Sequence, residues 1–288
     1  MPRPHIDFIQ PQYLPWEKGL PGGARPEVES KLLSIDSAAG DSSLIVRHPA
    51  GWRATAAHHL DVDEEFFVLE GAIEINGIVY ERGCYAHLPK GFTRWKIESP
   101  QGCVALTFFS GRPTVMAGEP TGRHDALRVV PFVDTKKGGW QEYTYFPGRV
   151  LFLRIDPYTR DMTYLQTTRP NDGAGKVETH DTVQEFYVLA GELSTPLGLY
   201  EPGAYIWRPP LIKHGPFGTQ TGCNFLLRSV GGPLTYQYYP VEKPFTWTPA
   251  HAPILPPELE KFSSALKPQS NYCLGAYHGG PTSRGLLE

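Results

Sequence analysis

The sequence has little of several features that would each indicate a particular class of protein. Its 288 residues include only four cysteines and three methionines, and the formal net charge is −3. A chain so close to neutral gives no reason to expect nucleic acid or an anionic membrane as a partner. No apolar run approaches the ~20 residues of a transmembrane helix. The composition therefore indicates neither a nucleic-acid-binding protein nor a membrane protein.

The cysteines are also few and widely scattered, at Cys84, Cys103, Cys223 and Cys273. Without paired spacing they are expected to be free core thiols, as in a cytoplasmic protein. The N-terminal MPRPHIDFIQPQ lacks the basic start and apolar core of a secretory signal, which agrees with that location. The motifs GxSxG, GxGxxG, P-loop, HExxH and paired CxxC are missing as well, so no common hydrolase or nucleotide site is indicated.

What the sequence does contain is a long internal repeat. Residues 33–106 match residues 153–226 without a gap when 120 is added to the number. The identical pairs include Leu33/Leu153, Asp36/Asp156, Glu65/Glu185, Phe66/Phe186, Leu69/Leu189, Gly71/Gly191, Tyr85/Tyr205, Pro89/Pro209 and Cys103/Cys223. A repeat of this length predicts a duplicated domain. With 30 glycines, 29 prolines and 12% aromatics, the expected class is all-β.

The repeat divides the chain into five predicted segments. They are an N-terminal arm at 1–30, a first barrel at 31–110, a linker at 111–147, a second barrel at 148–231 and a C-terminal tail at 232–288. Asn76-Gly77 predicts a type I′ hairpin, LRVVPFV an extra strand, and PPELEKFSSALK a short helix after its prolines. Because both ends of the chain are rich in proline and aromatic residues, we expect a homodimer in which they cover a neighbouring barrel.

Four side chains in the second barrel could converge on a metal ion. Glu178, His180 and Gln184 share one strand parity and so one face, and His214 follows the next long extended run. One carboxylate, two imidazoles and an amide oxygen suit Mn(II), Fe(II), Ni(II) or Zn(II). One negative charge against a divalent ion leaves a surplus of positive charge, which favours an anionic substrate. A site that has lost its metal is the competing interpretation.

The equivalent positions of the first barrel carry His58, Leu60, Glu64 and Arg94. A guanidinium stays protonated and cannot be a ligand, so we expect Arg94 to pair with Glu64 where a cation would lie. His59 could replace Leu60 only by a shift of register. We predict a metal-free first barrel, hence one ion per chain, and leave open a second site for a small anion or polar ligand formed by His58, His59, Glu64 and Arg94.

Further residues near the second site have two expected roles. Glu185 has the opposite parity to Gln184 and is predicted to form a structural salt bridge. Tyr187, Trp207 and Arg208 are close to the site in sequence and are predicted to bind substrate.

The order of these motifs resembles the cupin superfamily. In the first motif of that family, the last metal ligand is followed by six residues and a glycine, and here Gln184 is followed by six residues and Gly191. In the second motif, five residues separate a glycine from a proline and a histidine ends the motif. Here five residues separate Gly203 from Pro209, and His214 stands near the position of the last histidine. The resemblance implies a bicupin of two RmlC-like jelly-roll barrels. Cupins usually have three histidines and a glutamate, so Glu178 and Gln184 depart from the family pattern.

The resemblance also implies candidate activities. The segments LIVRHPAG and EEFFVLEG are similar to ChrR-like and acetylacetone-dioxygenase-like cupins. This likeness implies a dioxygenase acting on a small enolic, phenolic or diketone substrate, with Fe(II) or Mn(II) favoured and Ni(II) or Zn(II) as alternatives. The ligand types of the C-terminal site are also similar to ureidoglycine aminohydrolase, which implies hydrolysis of a small nitrogenous metabolite. The third alternative is a cupin that binds a small molecule without turnover.

Overall fold

A computed structural model describes residues 2–145, 148–242 and 245–263, which form two compact units. The first consists of Met1–Arg3 and Leu14–Lys137, and the second of Pro4–Tyr13 and Gly138–Glu288. The division after Lys137 lies inside the predicted linker. Residues 4–13 of the predicted N-terminal arm belong to the second unit, although they precede most of the first unit in sequence.

Strands account for most of the regular structure in the first half of the chain. They are β1 (Ile6–Ile9), β2 (Glu17–Lys18), β3 (Glu29–Ile35), β4 (Ser42–His48), β5 (Trp52–Ala54), β6 (His58–Leu60), β7 (Glu64–Ile75), β8 (Ile78–Glu81), β9 (Cys84–Leu88), β10 (Ile97–Ser99), β11 (Cys103–Phe109), β12 (Val115–Ala117) and β13 (Val130–Asp134). Short 3-10 helices occupy Pro11–Tyr13, Ala126–Arg128 and Thr135–Lys137.

The second half repeats this arrangement. Its strands are β14 (Gln141–Glu142), β15 (Gly148–Ile155), β16 (Met162–Thr168), β17 (Asp172–Ala174), β18 (Val177–Thr179), β19 (Val183–Gly191), β20 (Leu193–Thr195), β21 (Gly198–Tyr200), β22 (Tyr205–Arg208), β23 (Phe217–Thr219), β24 (Cys223–Val230) and β25 (Gln237–Tyr239). A short helix, α1 (Pro257–Glu260), follows the prolines.

The large sheets of the two units have equivalent strand orders. The first runs β13-β9-β7-β11-β4-β3-β2 and the second β1-β22-β19-β24-β16-β15-β14, and neighbouring strands are antiparallel. The difference lies at the edges. In the first unit the linker strand β13 pairs with β9, whereas in the second unit the N-terminal strand β1 pairs with β22. Either addition covers a sheet edge that would otherwise expose unpaired backbone groups.

The repeat seen in sequence is visible in small irregularities of the backbone. Strand pairing shifts at Leu69 in β7 and at the equivalent Leu189 in β19. Immediately after each shift is a glycine with positive φ, Gly71 at 69° and Gly191 at 71°. A Cβ on Gly71 would lie 2.1 Å from the carbonyl oxygen of Gly102. The conformation and the close approach therefore both require glycine.

Each unit has its own apolar core, made by the inward side of its strands. In the first unit it includes Leu44, Phe66, Val68, Ala86 and Ala105. In the second it includes Tyr164, Phe186, Val188, Ile206 and Phe225. These positions recur at every second residue along the strands, which is the period of a sheet with one buried face.

Several local predictions are confirmed. Asn76 and Gly77 both have positive φ, at 53° and 84°, as a type I′ turn requires. β13 is the extra strand, and α1 lies within the segment predicted as a helix but ends at Glu260, before the described residues 261–263. Cys84, Cys103 and Cys223 are free and buried, while Cys273 lies outside the described residues. Among these described residues, no helix is long and apolar enough to cross a membrane.

Candidate metal centre

Two short segments of the second unit bring a carboxylate and two imidazoles together. Glu178 lies in β18, and His180, two residues after Glu178 and directly after the end of the strand, lies on the same face. His214 lies across from them, because its backbone N–H and C=O both pair with Glu178, at 3.0 and 2.9 Å. The backbone pairing thus sets the positions of all three side chains.

The ligand atoms of these three residues face one another in a buried site. His180 Nε2 lies 3.2 Å from His214 Nε2. Glu178 Oε1 is 3.7 Å from the first of these nitrogens and 3.5 Å from the second. Within the described residues this is the only group of three or more His, Cys, Asp or Glu side chains whose ligand atoms all lie within 4.8 Å of one another.

Hydrogen bonds fix the tautomer of both rings. His180 Nδ1 lies 2.5 Å from the carbonyl oxygen of Thr235, and His214 Nδ1 lies 2.9 Å from that of Ile212. A carbonyl oxygen only accepts, so each Nδ1 carries the proton and each Nε2 presents a lone pair to the other. Hydrogen bonds of this kind, made by the ring nitrogen that does not bind the metal, orient metal-binding histidines.

Burial keeps these imidazoles neutral. It lowers the pKa of His180 to about 4, helped by the nearby His214, and the pKa of His214 to about 3, helped by the positive charge of Arg208. Burial also raises the pKa of Glu178, an effect opposed by the electrostatic influence of His180 and Arg208. Two bare nitrogen lone pairs and a carboxyl oxygen therefore converge, and such an arrangement is stabilised by a cation between them.

The spacing of the three atoms fits a single ion. Ligand atoms bound about 2.1 Å from one ion stand about 3.0 Å apart at right angles and about 3.4 Å apart at the tetrahedral angle. The separations of 3.2, 3.5 and 3.7 Å lie close to this range. Small rotations of Glu178 would bring its oxygen to the shorter distance.

The fourth predicted ligand, Gln184, makes a different contact. Its Oε1 accepts a hydrogen bond from Arg208 Nη1 at 2.6 Å. Arg208 also donates to Asp7, from Nε to Oδ2 at 2.5 Å and from Nη2 to Oδ1 at 3.0 Å, and the hydroxyl of Tyr200 donates to the same carboxylate. The amide oxygen of Gln184 is therefore engaged by a positively charged group, which opposes coordination of a metal by that atom.

A small cavity of about 30 Å³ lies beside this cluster. Its polar walls are Gln166, Glu178, Gln184, Tyr200, Arg208 and Tyr236, and its apolar walls are Phe186, Leu193, Phe217, Phe225 and Leu227. A space of this size holds one or two water-sized groups. As it stands, the cavity suits a reacting group of a few atoms.

The equivalent position in the first unit is filled by charged side chains. Arg94 Nη2 contacts Glu64 Oε2 at 2.7 Å, which is the ion pair predicted from the sequence. Arg25 contacts the same carboxylate with both terminal nitrogens, at 2.6 and 3.0 Å. His58 pairs with Arg94 through the backbone only, and His59, of opposite parity, contacts the carbonyl oxygen of Gly118 at 3.0 Å.

Comparison with known proteins assigns the chain to a family. Residues 12–234 match a family described as a domain of unknown function, DUF4437. The chain belongs to this family. No match was found among curated proteins.

Solved structures show which fold the chain has. A Nostoc punctiforme protein described as a "putative dioxygenase" has a TM-score of 0.72 at 18% identity, over 84% of this chain and 89% of its own. Salicylate 1,2-dioxygenase from Pseudoaminobacter salicylatoxidans gives 0.51 at 11%, over 69% and 72%. Oxalate decarboxylase from Bacillus subtilis gives 0.54 at 11%, over 81% and 79%. At these identities the likeness shows the fold alone, and it confirms the predicted bicupin.

Of the three residues predicted to bind substrate, only one lines the cavity. Arg208 lines it, but Tyr187 and Trp207 do not. In the pairing of β19 with β22, Gln184 is opposite Arg208, and Glu185 is opposite Trp207. Neighbours along a strand alternate between faces, so Tyr187 and Trp207 lie on the outer face with Glu185. That part of the prediction is corrected.

Glu185 itself has the structural role predicted for it. Its Oε1 accepts from the hydroxyl of Tyr205 at 2.7 Å, and its Oε2 pairs with Arg228 Nη1 at 2.5 Å. The first unit has the same tyrosine contact, between Tyr85 and Glu65 at 2.8 Å. This pair is therefore part of the repeated frame and lies outside the metal-binding cluster.

Four contributors to the two sites were not predicted from the sequence. Asp7 and Arg25 come from the predicted N-terminal arm, and Tyr236 comes from the predicted tail, as does Thr235. None belongs to a cupin motif or has a counterpart at the offset of the repeat. The one available signal was an isolated acidic residue between apolar neighbours in HIDFI.

Proposed function

We propose that the second barrel is the centre of a metal-dependent enzyme, with Glu178, His180 and His214 as the ligands of one divalent ion. The observation that carries this proposal is the convergence of two Nε2 lone pairs and one carboxylate oxygen in a buried site. Two histidines and one carboxylate, with other positions open, are the ligand set of non-haem Fe(II) oxygenases. Fe(II) is therefore the favoured ion and Mn(II) the second choice.

We further propose a dioxygenase-type reaction on a small enolic, phenolic or diketone substrate. A bound divalent ion would supply positive charge that favours the deprotonated substrate, together with open coordination positions. The surrounding side chains select and orient it. The small cavity admits the reacting end of a substrate, and its aromatic wall excludes water from the rest.

Tyr236 is the strongest candidate for contact with the substrate. Its ring stands edge-on to His180 with centroids 5.0 Å apart, and its hydroxyl lies 2.7 Å from that of Tyr143. Burial raises its pKa well above the usual value, so the phenol stays protonated and can hold a hydrogen bond to a substrate oxygen. Gln184 and Gln166 offer neutral amides on other walls of the same cavity.

A hydrolase remains the second candidate, because the second barrel offers the ligand types implied by the resemblance to ureidoglycine aminohydrolase. The homodimer and the cytoplasmic location also stay predictions. Residues 6–9 pair with β22 of their own chain, whereas the predicted dimer would place the ends of the chain on a neighbouring barrel.

Metal analysis followed by oxygen uptake tests this proposal. Protein loaded anaerobically with Fe(II) or Mn(II) is expected to retain one ion per chain after desalting. The Fe(II) form should then consume dioxygen with pentane-2,4-dione, a hydroxylated benzoate or an enolic keto acid. Metal retention with ammonia release from ureido compounds and no oxygen uptake would favour the hydrolase. Absence of tightly bound metal would contradict both enzymes and favour a binding protein.

A further inference from the structure

A buried ion pair next to the candidate metal centre joins the N-terminal arm to the second barrel. Asp7 lies in β1, where it is paired with Ile206 of β22, and its backbone also pairs with Ile254, at 2.7 and 2.6 Å. Its side chain receives three hydrogen bonds, two from Arg208 and one from Tyr200. Only 1% of Asp7 is exposed, and both its backbone and its carboxylate are fixed by residues of the same unit.

The charge of Arg208 reaches the metal-binding cluster. Arg208 and Glu178 line the same cavity, and the guanidinium acts electrostatically on Glu178, His180 and His214. A permanent positive charge in a buried site opposes the entry of a cation. It also offers Glu178 a competing partner, because guanidinium and carboxylate form strong paired hydrogen bonds.

The first barrel shows what happens when arginines meet the site carboxylate directly. There Arg25 and Arg94 both contact Glu64, and although burial raises the pKa of this carboxyl, the two positive charges outweigh it and lower the pKa to about 2. The carboxylate that could have joined a metal site is fully occupied. In the second barrel, Asp7 takes the equivalent role of partner to the arginine, and Glu178 stays unpaired with any guanidinium among the described contacts.

We propose that Asp7 is a positioning residue for the metal site: it neutralises Arg208 so that Glu178 remains available to a divalent cation. This inference rests on the metal-dependent function proposed above. With Asp7 present, two carboxylates and one guanidinium leave the site with one negative charge; without it, the site is neutral. The N-terminal arm is then a component of the site in the second barrel, although no residue of the arm contacts the ion.

Mn(II) titration of four proteins tests the role of Asp7. The proteins are the wild type, Asp7→Asn, Arg208→Met and the double variant. Binding is followed by the loss of the electron paramagnetic resonance signal of free Mn(II). Asp7→Asn is expected to weaken Mn(II) binding at least tenfold, because Arg208 becomes an uncompensated charge. The double variant should recover affinity to within about threefold of the wild type, since both charges are gone. Arg208→Met alone should bind at least as tightly as the wild type.

A matched control is provided by the other face of the same sheet. Glu185→Gln breaks a second buried carboxylate–arginine pair, with Arg228, that does not face the cavity. It should leave Mn(II) affinity unchanged. Far-UV circular dichroism and the melting temperature of each variant separate loss of fold from loss of affinity, and if Asp7→Asn does not fold, Arg208→Met and the double variant still decide the question.

The outcomes distinguish this inference from the proposed function. A wild type that binds neither Mn(II) nor Fe(II) overturns both. Wild-type binding with undiminished affinity in Asp7→Asn overturns the role of Asp7 and leaves the metal site intact. Failure of the double variant to recover, or a loss in Arg208→Met equal to that in Asp7→Asn, shows that the arm acts by packing and overturns the electrostatic role.

Discussion

The two units of the chain have the same frame but opposite chemistry at their candidate sites. In the first, one carboxylate is surrounded by two guanidinium groups, and in the second, one carboxylate faces two imidazoles. A guanidinium keeps its charge when buried, whereas a buried imidazole becomes neutral and exposes a lone pair. The common frame therefore fixes where a site lies. Whether a cation can enter it depends on whether the basic side chains there keep a positive charge, as Arg25 and Arg94 do, or become neutral, as His180 and His214 do.

The two barrels also differ in the carboxylate with which their buried arginines pair. Arg25 and Arg94 fill the first site and stabilise Glu64 there. Arg208 lies beside the second site but is paired with Asp7. An arginine near a candidate metal site is thus informative only when its own partner is known. The predictions below test this contrast, beginning with the largest expected effect.

Removal of His214 should abolish metal binding by the second barrel. His214→Ala takes one of three ligands, and the loss of affinity is expected to exceed about 100-fold, because metal binding requires several donors held together. The fold should persist, since the core of Phe186, Val188 and Phe225 does not include this residue. The metal content measured by elemental analysis should fall from one ion per chain to nearly none.

The first barrel supplies the control for that experiment. Arg94→Ala and His58→Ala should each leave the metal content unchanged. Two tightly bound ions per wild-type chain, or a loss of metal in His58→Ala, would contradict the contrast between the barrels.

Removal of the first-barrel carboxylate should cost stability instead of metal. Glu64→Gln leaves Arg25 and Arg94 buried beside each other without a counter-charge. Breaking such a buried pair costs about 3–5 kcal/mol of the free energy of unfolding, measured by urea unfolding of the first unit. Arg94→Met should cost less, because Glu64 keeps Arg25. Equal losses in the two variants would show that the pairing is unimportant.

His48 gives the first barrel a sensitivity to acid that its counterpart Thr168 lacks. Neither ring nitrogen of His48 has a hydrogen-bond partner among the described residues, and burial, with the charge of Arg25, lowers its pKa from 6.5 to about 3. The unfolded chain binds a proton below pH 6.5 and the folded chain does not, so stability falls as the pH falls through this window.

The measurement compares wild type with His48→Thr between pH 6 and pH 5, and any carboxylate that titrates in this window is common to both proteins. The variant should lose less stability per pH unit, by up to about 1.4 kcal/mol. The slope is the criterion, because the smaller side chain lowers stability at every pH. Equal slopes would show that His48 is not buried as a neutral ring.

Much of this molecule follows from its sequence because the repeat and the strand period are local patterns. The offset of 120 places Leu69 and Leu189 at equivalent backbone irregularities, and strand parity places Glu178 and His180 on one face. The remainder depends on pairings over long separations. Asp7 meets Arg208 across 201 positions, and the register between β19 and β22, which turns Trp207 away from the cavity, has no signal in either strand alone.

The smallest expected effect concerns Gln184, the predicted ligand whose oxygen is bound by Arg208. Gln184→Ala should lower metal affinity less than about threefold, because an amide oxygen that accepts from a guanidinium at 2.6 Å is a weak donor to a cation. The loss should instead appear as a raised KM for substrate, since the amide lines the cavity. A drop in affinity comparable to that of His214→Ala would restore the four-ligand site predicted from the sequence. It would also mean that Arg208 releases Gln184 when the ion binds. In that case the double variant of Asp7 and Arg208, in which Gln184 is already free, should bind the metal ion more tightly than the wild type does.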